Sequence, residues 1–287
     1  MSPSLPKSRE QAAAKVRGLA LRLAPYHRKY EEARDTRAVF AFVYLNITLD
    51  LASQLENPQS TFGDPEWVAE LAHAFGNRFA LAMDALDEWL LRHPAEKPTP
   101  ESLYGSVPRP WADVYLAISG KQSYVFEDLV FSMMAHISYD LPHALLNVAH
   151  DPERLADYHR MNSTLATQTD LIQDTVADRY EHFLFFLDKL VGSFDEFLTN
   201  YGIRAARSVA YYNALRLSAA TARAEATASI ERSTHLFIQS VRAPEEWWLR
   251  LAIRIGRFLI PRRRRWPKPT EESTNGNYRE AGAGGSR

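Results

Sequence analysis

Apolar side chains recur along the chain at steps of three and four residues, the spacing of one face of an α-helix. The longest such stripe spans about six turns at 3.6 residues per turn and comprises Trp67, Leu71, Phe75, Phe79, Ala82, Leu86 and Trp89. A second stripe covers residues 180–198. No alternating apolar and polar stretch bounded by turn signals indicates a strand. The pattern therefore predicts an all-α fold built as a single multi-helix bundle.

Glycine and proline divide this pattern into elements, because both are unfavourable inside helices. Five prolines fall within residues 94–110 and predict a long loop, whereas residues 26–57, 66–93, 111–141 and 153–243 contain none. The predicted helices are 8–30, 36–56, 65–93, 109–119, 122–150, 153–191, 194–241 and 244–260. Pro142 predicts a break in the fifth of these helices, and Gly202 is a candidate break in the seventh.

The composition divides the chain into three parts. Residues 1–243 carry the apolar periodicity and form the predicted bundle domain. Residues 244–268 form a basic amphipathic helix followed by an arginine cluster. Residues 269–287 contain almost no apolar side chains to offset the entropy of ordering, which predicts a disordered C-terminal tail.

The overall composition excludes several classes of protein. Of the 287 residues 46% are apolar, 34 basic side chains stand against 35 acidic ones, and cysteine is absent. These values exclude a disordered chain, a disulfide framework and a bulk polycation. Charge and proline near the N-terminus replace the apolar stretch of an export signal, and no apolar window reaches the length of a membrane span. We therefore expect a cytoplasmic protein without a spanning helix.

The most informative polar residues lie on the predicted helix 122–150. His136 and Asp140 are four residues apart, so their side chains meet on one helix face. Such a pair can chelate a metal ion or form a hydrogen-bonded acid–base couple. Pro142 should kink the helix beside the pair, and His143 follows it directly. The alternative is a structural bond between a partly buried histidine and an aspartate.

The same segment carries a resemblance to a known family. Residues 134–142 read Met-Ala-His-Ile-Ser-Tyr-Asp-Leu-Pro, similar to the Asn-Ala-His-Ile-Asn-x-Asp-Leu-Pro motif of a bacterial family of helical proteins of unknown function. The similarity extends from about Asp35 to Leu215. Met134 and Ser138 replace the two asparagines of the motif. The resemblance implies a helical fold and no particular activity.

Two other sets of acidic residues and histidines are candidate metal ligands. Asp170, Asp174 and Asp178 stand four residues apart on the predicted helix 153–191. A DxxxD pair is one way to hold magnesium for a diphosphate substrate, as in terpenoid synthases, although their DDxxD motif is missing. A solvated acidic face is the alternative. Glu70 and His73 match half of a di-iron signature, with Asp140 and His143 as a distorted second half, which Pro142 disfavours.

The C-terminal segment segregates charge. Residues 242–268 hold nine basic residues and two acidic ones. Arg250, Arg254 and Arg257 share one helix face, opposite a face that contains Trp248 and Leu251. This pattern is typical of a helix on an anionic membrane surface, and equally of a packed amphipathic helix with a solvated arginine stripe. Nucleic acid is a poorer partner, because the basic cluster is short and has one interleaved aromatic residue.

Three functions remain open from the sequence. The first is a small-molecule enzyme for an apolar substrate, with His136 and Asp140 as catalytic residues. A divalent zinc, iron or magnesium ion is a possible cofactor, for which His136, Asp140, His143 and Asp174 are the candidate ligands. The second is a non-catalytic helical module attached to the membrane periphery through residues 244–268. The third is a terpenoid-synthase-like enzyme that binds magnesium at Asp170 and Asp174.

Overall fold

The computed structural model describes residues 7–120, 123–148, 152–162, 165, 200–242, 245–248, 250–251 and 254. Within these residues every regular element is helical, which confirms the predicted all-α fold. A 3₁₀ turn at Pro152–Arg154 leads into helical residues 155–162. The named α-helices are α1 (Lys7–Glu32), α2 (Arg37–Glu56), α3 (Pro65–Arg92), α4 (Pro100–Leu103), α5 (Arg109–Ser119), α6 (Val125–Ala135), α7 (Leu141–Asn147), α8 (Asn200–Ser218) and α9 (Arg223–Arg242).

Helix α2 lies at the centre of the core. It packs against α1 and α6, and twelve of its residues are buried. Its apolar residues lie on most of its faces, the pattern of a helix surrounded by protein. In the part of the chain that the structure describes, α2 is also the one helix long and apolar enough to span a membrane, with a mean hydropathy of 1.4. Because 61% of that stretch is buried inside the protein, this is weak evidence for a span.

A buried ionic cluster fixes the start of α2 against α1 and α3. Asp35 Oδ1 accepts the Arg37 backbone N–H at 2.9 Å from the position before the N-cap residue Thr36, whose own side chain makes no capping bond. The Arg37 guanidinium donates to Asp35 Oδ2 and, from Nη1, to Asp87 Oδ1, each at 2.7 Å. It also lies over the ring of Tyr30, 4.0 Å from the centroid. The cluster therefore joins the turn after α1 to the far end of α3.

Helices α6 and α7 form one continuous helical segment that several helices of the bundle contact. A π-helical turn, His136–Asp140, connects them, and this turn contacts α3, α8 and α9. Helix α6 packs against α2 and α5, while α7 packs against α3 and α8. The polar residues predicted on helix 122–150 therefore lie where most of the bundle converges.

The helix bounds follow the sequence prediction closely up to Asn147. The predicted helix 194–241 is different: α8 contains Gly202, and the break lies at residues 219–222, so a break at Gly202 is wrong. The segment 219–222 contains neither glycine nor proline. Arg223 Nε donates instead to the Leu217 carbonyl at 2.9 Å, and so satisfies a terminal carbonyl of α8 through its side chain.

Candidate functional site

The π turn brings the side chains of His136 and Asp140 together on the buried side of the α6–α7 segment. The Leu141 N–H donates to the His136 carbonyl, five residues back instead of four. This wider turn stands directly before Pro142, whose missing N–H and bulky ring are incompatible with a regular α-helical turn. Inserted π turns of this kind occur frequently at functional sites.

The two side chains share one hydrogen bond. His136 Nδ1 lies 2.9 Å from Asp140 Oδ2, and Trp111 Nε1 donates to the same oxygen at 2.8 Å. Because an ionised carboxylate only accepts hydrogen bonds, Nδ1 carries the ring proton and donates it. His136 is therefore held as the Nδ1–H tautomer, with the lone pair on Nε2.

Aromatic rings surround the imidazole. Phe75 stacks on it with the centroids 3.6 Å apart and the planes at 9°. Tyr44 meets it edge to face, 4.5 Å between centroids. Further rings lie within about 6 Å of its centroid, a contact distance for aromatic pairs, and belong to Phe40, Phe79 and Trp111.

Burial dominates the electrostatics of the pair. His136 is 3% exposed and Asp140 1%. Desolvation lowers the pKa of His136; the bond to Asp140 and its charge oppose this shift, and the charge of Arg78 adds to it. Desolvation and then the Asp140 charge raise the pKa of Tyr44, so this phenol stays protonated. The site therefore holds a neutral imidazole beside Asp140. Two neutral N–H groups, from His136 and Trp111, and the Arg78 cation face this aspartate.

One nitrogen of the pair is unused. Among the residues that the structure describes, His136 Nε2 is buried and has no hydrogen-bond partner. Phe40, Phe79 and Trp111 separate the imidazole from a small apolar cavity between α2, α3 and α5 that has room for about one water molecule. A larger molecule cannot reach Nε2 through that cavity.

Arg78 flanks Asp140 on the side of α3. Its Nε lies 3.8 Å from Asp140 Oδ1, beyond hydrogen-bond distance, and is buried without a hydrogen-bond partner in the described part of the chain. The guanidinium carbon is 5.5 Å from the centroid of the Tyr139 ring. The Arg78 side chain is 26% exposed, whereas Asp140 is closed off from solvent.

His143 has its own partner. Its Nδ1 donates to the Tyr139 carbonyl at 2.7 Å, and desolvation lowers its pKa. In the described residues no group of three or more histidine, aspartate or glutamate side chains is arranged to hold a metal ion. Asp174 lies outside the described residues. Metal binding by His136, Asp140, His143 and Asp174 therefore stays a prediction, and so does the identity of any zinc, iron or magnesium ion.

The other candidate residues either lie away from this site or fall outside the described residues. Glu70 pairs with Lys15 at 3.6 Å, and His73 lies between Arg22 and Asn77. Both therefore face the α1–α3 contact, and neither reaches the π turn as a di-iron half-site requires. Asp170 and Asp178 lie outside the described residues, as does most of 244–268.

Sequence reasoning did not identify several residues of the site. Trp111 and Arg78 lie 29 and 62 positions from Asp140 along the chain, and Phe75 belongs to a stripe that indicates only a core. A second histidine–aspartate pair was also missed: His235 Nδ1 lies 3.0 Å from Asp113 Oδ2, across α9 and α5. Residue spacing reveals pairs within one helix and gives no signal for pairs between helices.

The chain is thus an all-α protein with a buried histidine–aspartate pair on a π turn. It belongs to the family of unknown function DUF5995, whose model matches residues 16–244. The predicted resemblance to a helical family of unknown function is therefore confirmed. No curated protein and no solved structure matches the chain.

Proposed function

We propose that the protein is an enzyme that acts on a small molecule with His136 as general base and Asp140 as its orienting partner. The observation that supports this role most strongly is the buried Nε2 of His136, which has no hydrogen-bond partner among the described residues, in an imidazole whose Nδ1 is bound to a carboxylate. This arrangement of aspartate, histidine and free lone pair is that of an oriented catalytic base.

A purely structural role explains the arrangement less well. A buried polar atom without a hydrogen bond costs about 1–3 kcal/mol, and most such atoms in proteins are satisfied. His136 leaves Nε2 without a hydrogen bond within the described residues. The Asp113–His235 pair does not meet this test: Asp113 is buried, but the His235 side chain is 27% exposed and can use water.

The environment suits a base that works at neutral pH. Burial lowers the pKa of His136, so the imidazole stays neutral and able to accept a proton. When Nε2 takes a proton from the substrate, Asp140 stabilises the imidazolium that forms. Trp111 keeps the aspartate in place through its 2.8 Å hydrogen bond. General-base catalysis of this kind contributes about 10²–10⁴-fold in rate.

The aromatic surroundings favour an apolar substrate body. Of the rings around His136, Phe75 is the partly exposed one that lies flat on the imidazole. Displacement of this ring is the shortest route from solvent to the base. The substrate then replaces one apolar contact with another and leaves the hydrogen bonds of Asp140 intact.

Comparison of substrate consumption by matched variants tests this function. Purified wild type, His136→Gln and His93→Gln are incubated with a library of small apolar metabolites, and depletion is followed by mass spectrometry. His93 is the control, because its Nδ1 bonds the Trp89 carbonyl at the end of α3, away from the π turn. Wild type and His93→Gln should consume the same compound, and folded His136→Gln should do so at least about 100-fold more slowly. Equal consumption by all three proteins, or none by any of them, would contradict the proposal.

A second function, reversible binding to anionic membranes through residues 244–268, has separate support. Trp247 and Trp248 are 72% and 58% exposed, and Arg250 and Arg254 are exposed beside them. Indole rings and arginines suit the headgroup region of an acidic bilayer. Liposome flotation should recover the full chain with acidic vesicles at low salt, and a chain ending at Arg242 should stay unbound. Equal recovery of both would contradict this function.

A further inference from the structure

Arg78 is an arginine whose charge is only loosely paired. Arg37 in the same protein is a useful comparison: its guanidinium donates to Asp35 and Asp87 at 2.7 Å. Arg78 instead keeps its Nε 3.8 Å from Asp140 Oδ1, and within the described residues that N–H has no partner. Arginine and carboxylate normally close to about 2.7–2.9 Å, often through two parallel bonds. The guanidinium also hydrogen-bonds the Tyr139 side chain, and its five N–H donors exceed what Tyr139 and Asp140 use.

The position of Arg78 is fixed from two sides. It lies three residues after Phe75 on α3, so the two side chains are neighbours on one helix face. Its guanidinium lies against the ring of Tyr139 in the π turn. Arg78 therefore stands next to the ring that covers His136, and its 26% exposure makes it accessible from solvent.

We infer that Arg78 receives the carboxylate or phosphate group of the substrate while His136 acts on the adjacent apolar part. This inference rests on the proposed function of His136 and adds the substrate class: a small molecule with an apolar body and one oxyanion. Guanidinium groups are the usual partners for carboxylate and phosphate, because their N–H donors match two oxygens at once.

The spacing also limits the size of the substrate. Side chains three residues apart on a helix stand about 5–6 Å apart at Cβ. An oxyanion on Arg78 therefore places the next few atoms of the molecule where Phe75 now covers the imidazole. The proton that Nε2 removes belongs to a C–H or O–H group a few bonds from the charged group.

Asp140 does not prevent anion binding at this place. Its Oδ2 already accepts bonds from His136 and Trp111, and its Oδ1 is the atom that faces Arg78. An incoming oxyanion uses the outer donors of the guanidinium and leaves the buried Nε on the aspartate side.

Calorimetric titration with three matched probes tests the inference. Benzoate and phenyl phosphate carry the two oxyanions on the same ring, and benzamide is the neutral counterpart. The proteins are wild type, Arg78→Gln, Arg78→Lys and the control Arg92→Gln, which removes an exposed arginine paired with Glu88 on the same helix. Circular dichroism and thermal melting establish that each variant is folded.

Wild type and Arg92→Gln should bind one or both oxyanions at least about tenfold more tightly than benzamide. Arg78→Gln should lose about tenfold to hundredfold in oxyanion affinity, down to the benzamide level. Arg78→Lys should lie between, since it keeps the charge and loses the planar fork. A preference for benzoate or for phenyl phosphate identifies the carboxylate or the phosphate as the natural group.

Three results would overturn the inference: equal binding of oxyanion and benzamide, equal effects of Arg78→Gln and Arg92→Gln, or no oxyanion binding to wild type at millimolar concentration. The outcome is separable from the proposed function through His136→Gln, which should bind the probes as wild type does and yet fail to consume substrate. If His136→Gln bound the oxyanions and consumed substrate as fast as wild type, His136 would not be the general base, whereas the anion site at Arg78 would stand.

Discussion

The phenyl ring of Phe75 lies flat on the imidazole of His136, with 3.6 Å between the centroids and 9° between the planes. Phe75 is partly exposed, whereas His136 is 3% exposed. A single side chain of α3 therefore covers the candidate base. By helping to bury the imidazole, this ring contributes to the desolvation that lowers the pKa of His136.

Replacement of Phe75 by alanine should uncover His136. We expect faster modification of His136 by diethyl pyrocarbonate, measured by mass spectrometry of the folded protein. The loss of stability should be about 2 kcal/mol, below the 3–5 kcal/mol of a fully buried phenylalanine. Leu81→Ala is the control, because Leu81 lies on the same helix and is 62% exposed. An unchanged modification rate in Phe75→Ala would show that this ring does not control access.

Stability should depend on pH through His136. Burial lowers its folded-state pKa below the ordinary 6.5, so below pH 6.5 the unfolded chain binds a proton that the folded chain does not. The free energy of unfolding should therefore fall as pH decreases from 6.5 towards the folded pKa, by up to about 1.4 kcal/mol per pH unit. Urea denaturation of wild type and His136→Gln across this range measures the contribution. The two proteins should differ in slope; parallel curves would contradict a depressed pKa for His136.

Trp111→Phe should weaken the hydrogen bonding that holds the Asp140 carboxylate in place. The substitution removes the indole N–H that donates to the buried carboxylate, and a hydrogen bond to a charged group is worth about 1.5–3 kcal/mol. Trp89→Phe is the matched control: Trp89 is 3% exposed, and its indole nitrogen has no hydrogen bond within the described residues. Denaturation should show the larger loss for Trp111→Phe, together with reduced turnover. Equal losses would mean that ring volume, not the hydrogen bond, matters at position 111.

The sequence predicted those features of the fold and the site whose causes are local along the chain. The spacing of His136 and Asp140 placed both residues on one face, and Pro142 marked the irregular turn beside them. The helix predicted from residue 36 begins at Arg37. In each case the physical cause lies within about five residues, because helix geometry and capping act over that range.

The structural features that the sequence did not predict depend on packing between helices. The π turn inserts one residue into the helix, and the presence of Pro142 does not distinguish such a turn from an α-helical kink. Phe75 and Arg78 gain their roles from the crossing of α3 over the π turn. The break at residues 219–222 gave no signal either, because Ala219 and Ala220 favour a helix and the end of α8 depends on the side chain of Arg223.

The Arg37 cluster should contribute more to stability than any exposed ion pair. Arg37→Gln leaves Asp35 without its cation and Asp87 with Lys29 alone in a partly buried place, a change that costs about 3 kcal/mol. Burial raises the pKa of Asp87, but the Arg37 charge and the bonds from Lys29 and Tyr30 outweigh it and lower the pKa. This contribution is present above the ordinary value of 3.8 and is lost as pH falls below it.

Arg17→Gln is the control for this prediction. Arg17 pairs with Glu56 on the surface, where solvent screens the charges, so its loss should cost less than about 1 kcal/mol. Chemical denaturation at neutral pH compares the two variants. Similar losses in both would show that the Arg37 cluster is no stronger than a surface pair.

Long-range ¹H–¹⁵N NMR of the His136 ring tests the central claim, a neutral base with a free Nε2, most directly. Assignment by comparison with His136→Gln identifies its two nitrogen resonances. We predict a protonated Nδ1 and an unprotonated Nε2 at neutral pH, unchanged as pH is lowered through 6.5, because burial lowers the pKa of this imidazole. A proton on Nε2 at neutral pH, in either the neutral or the doubly protonated ring, would contradict the assignment of His136 as the general base.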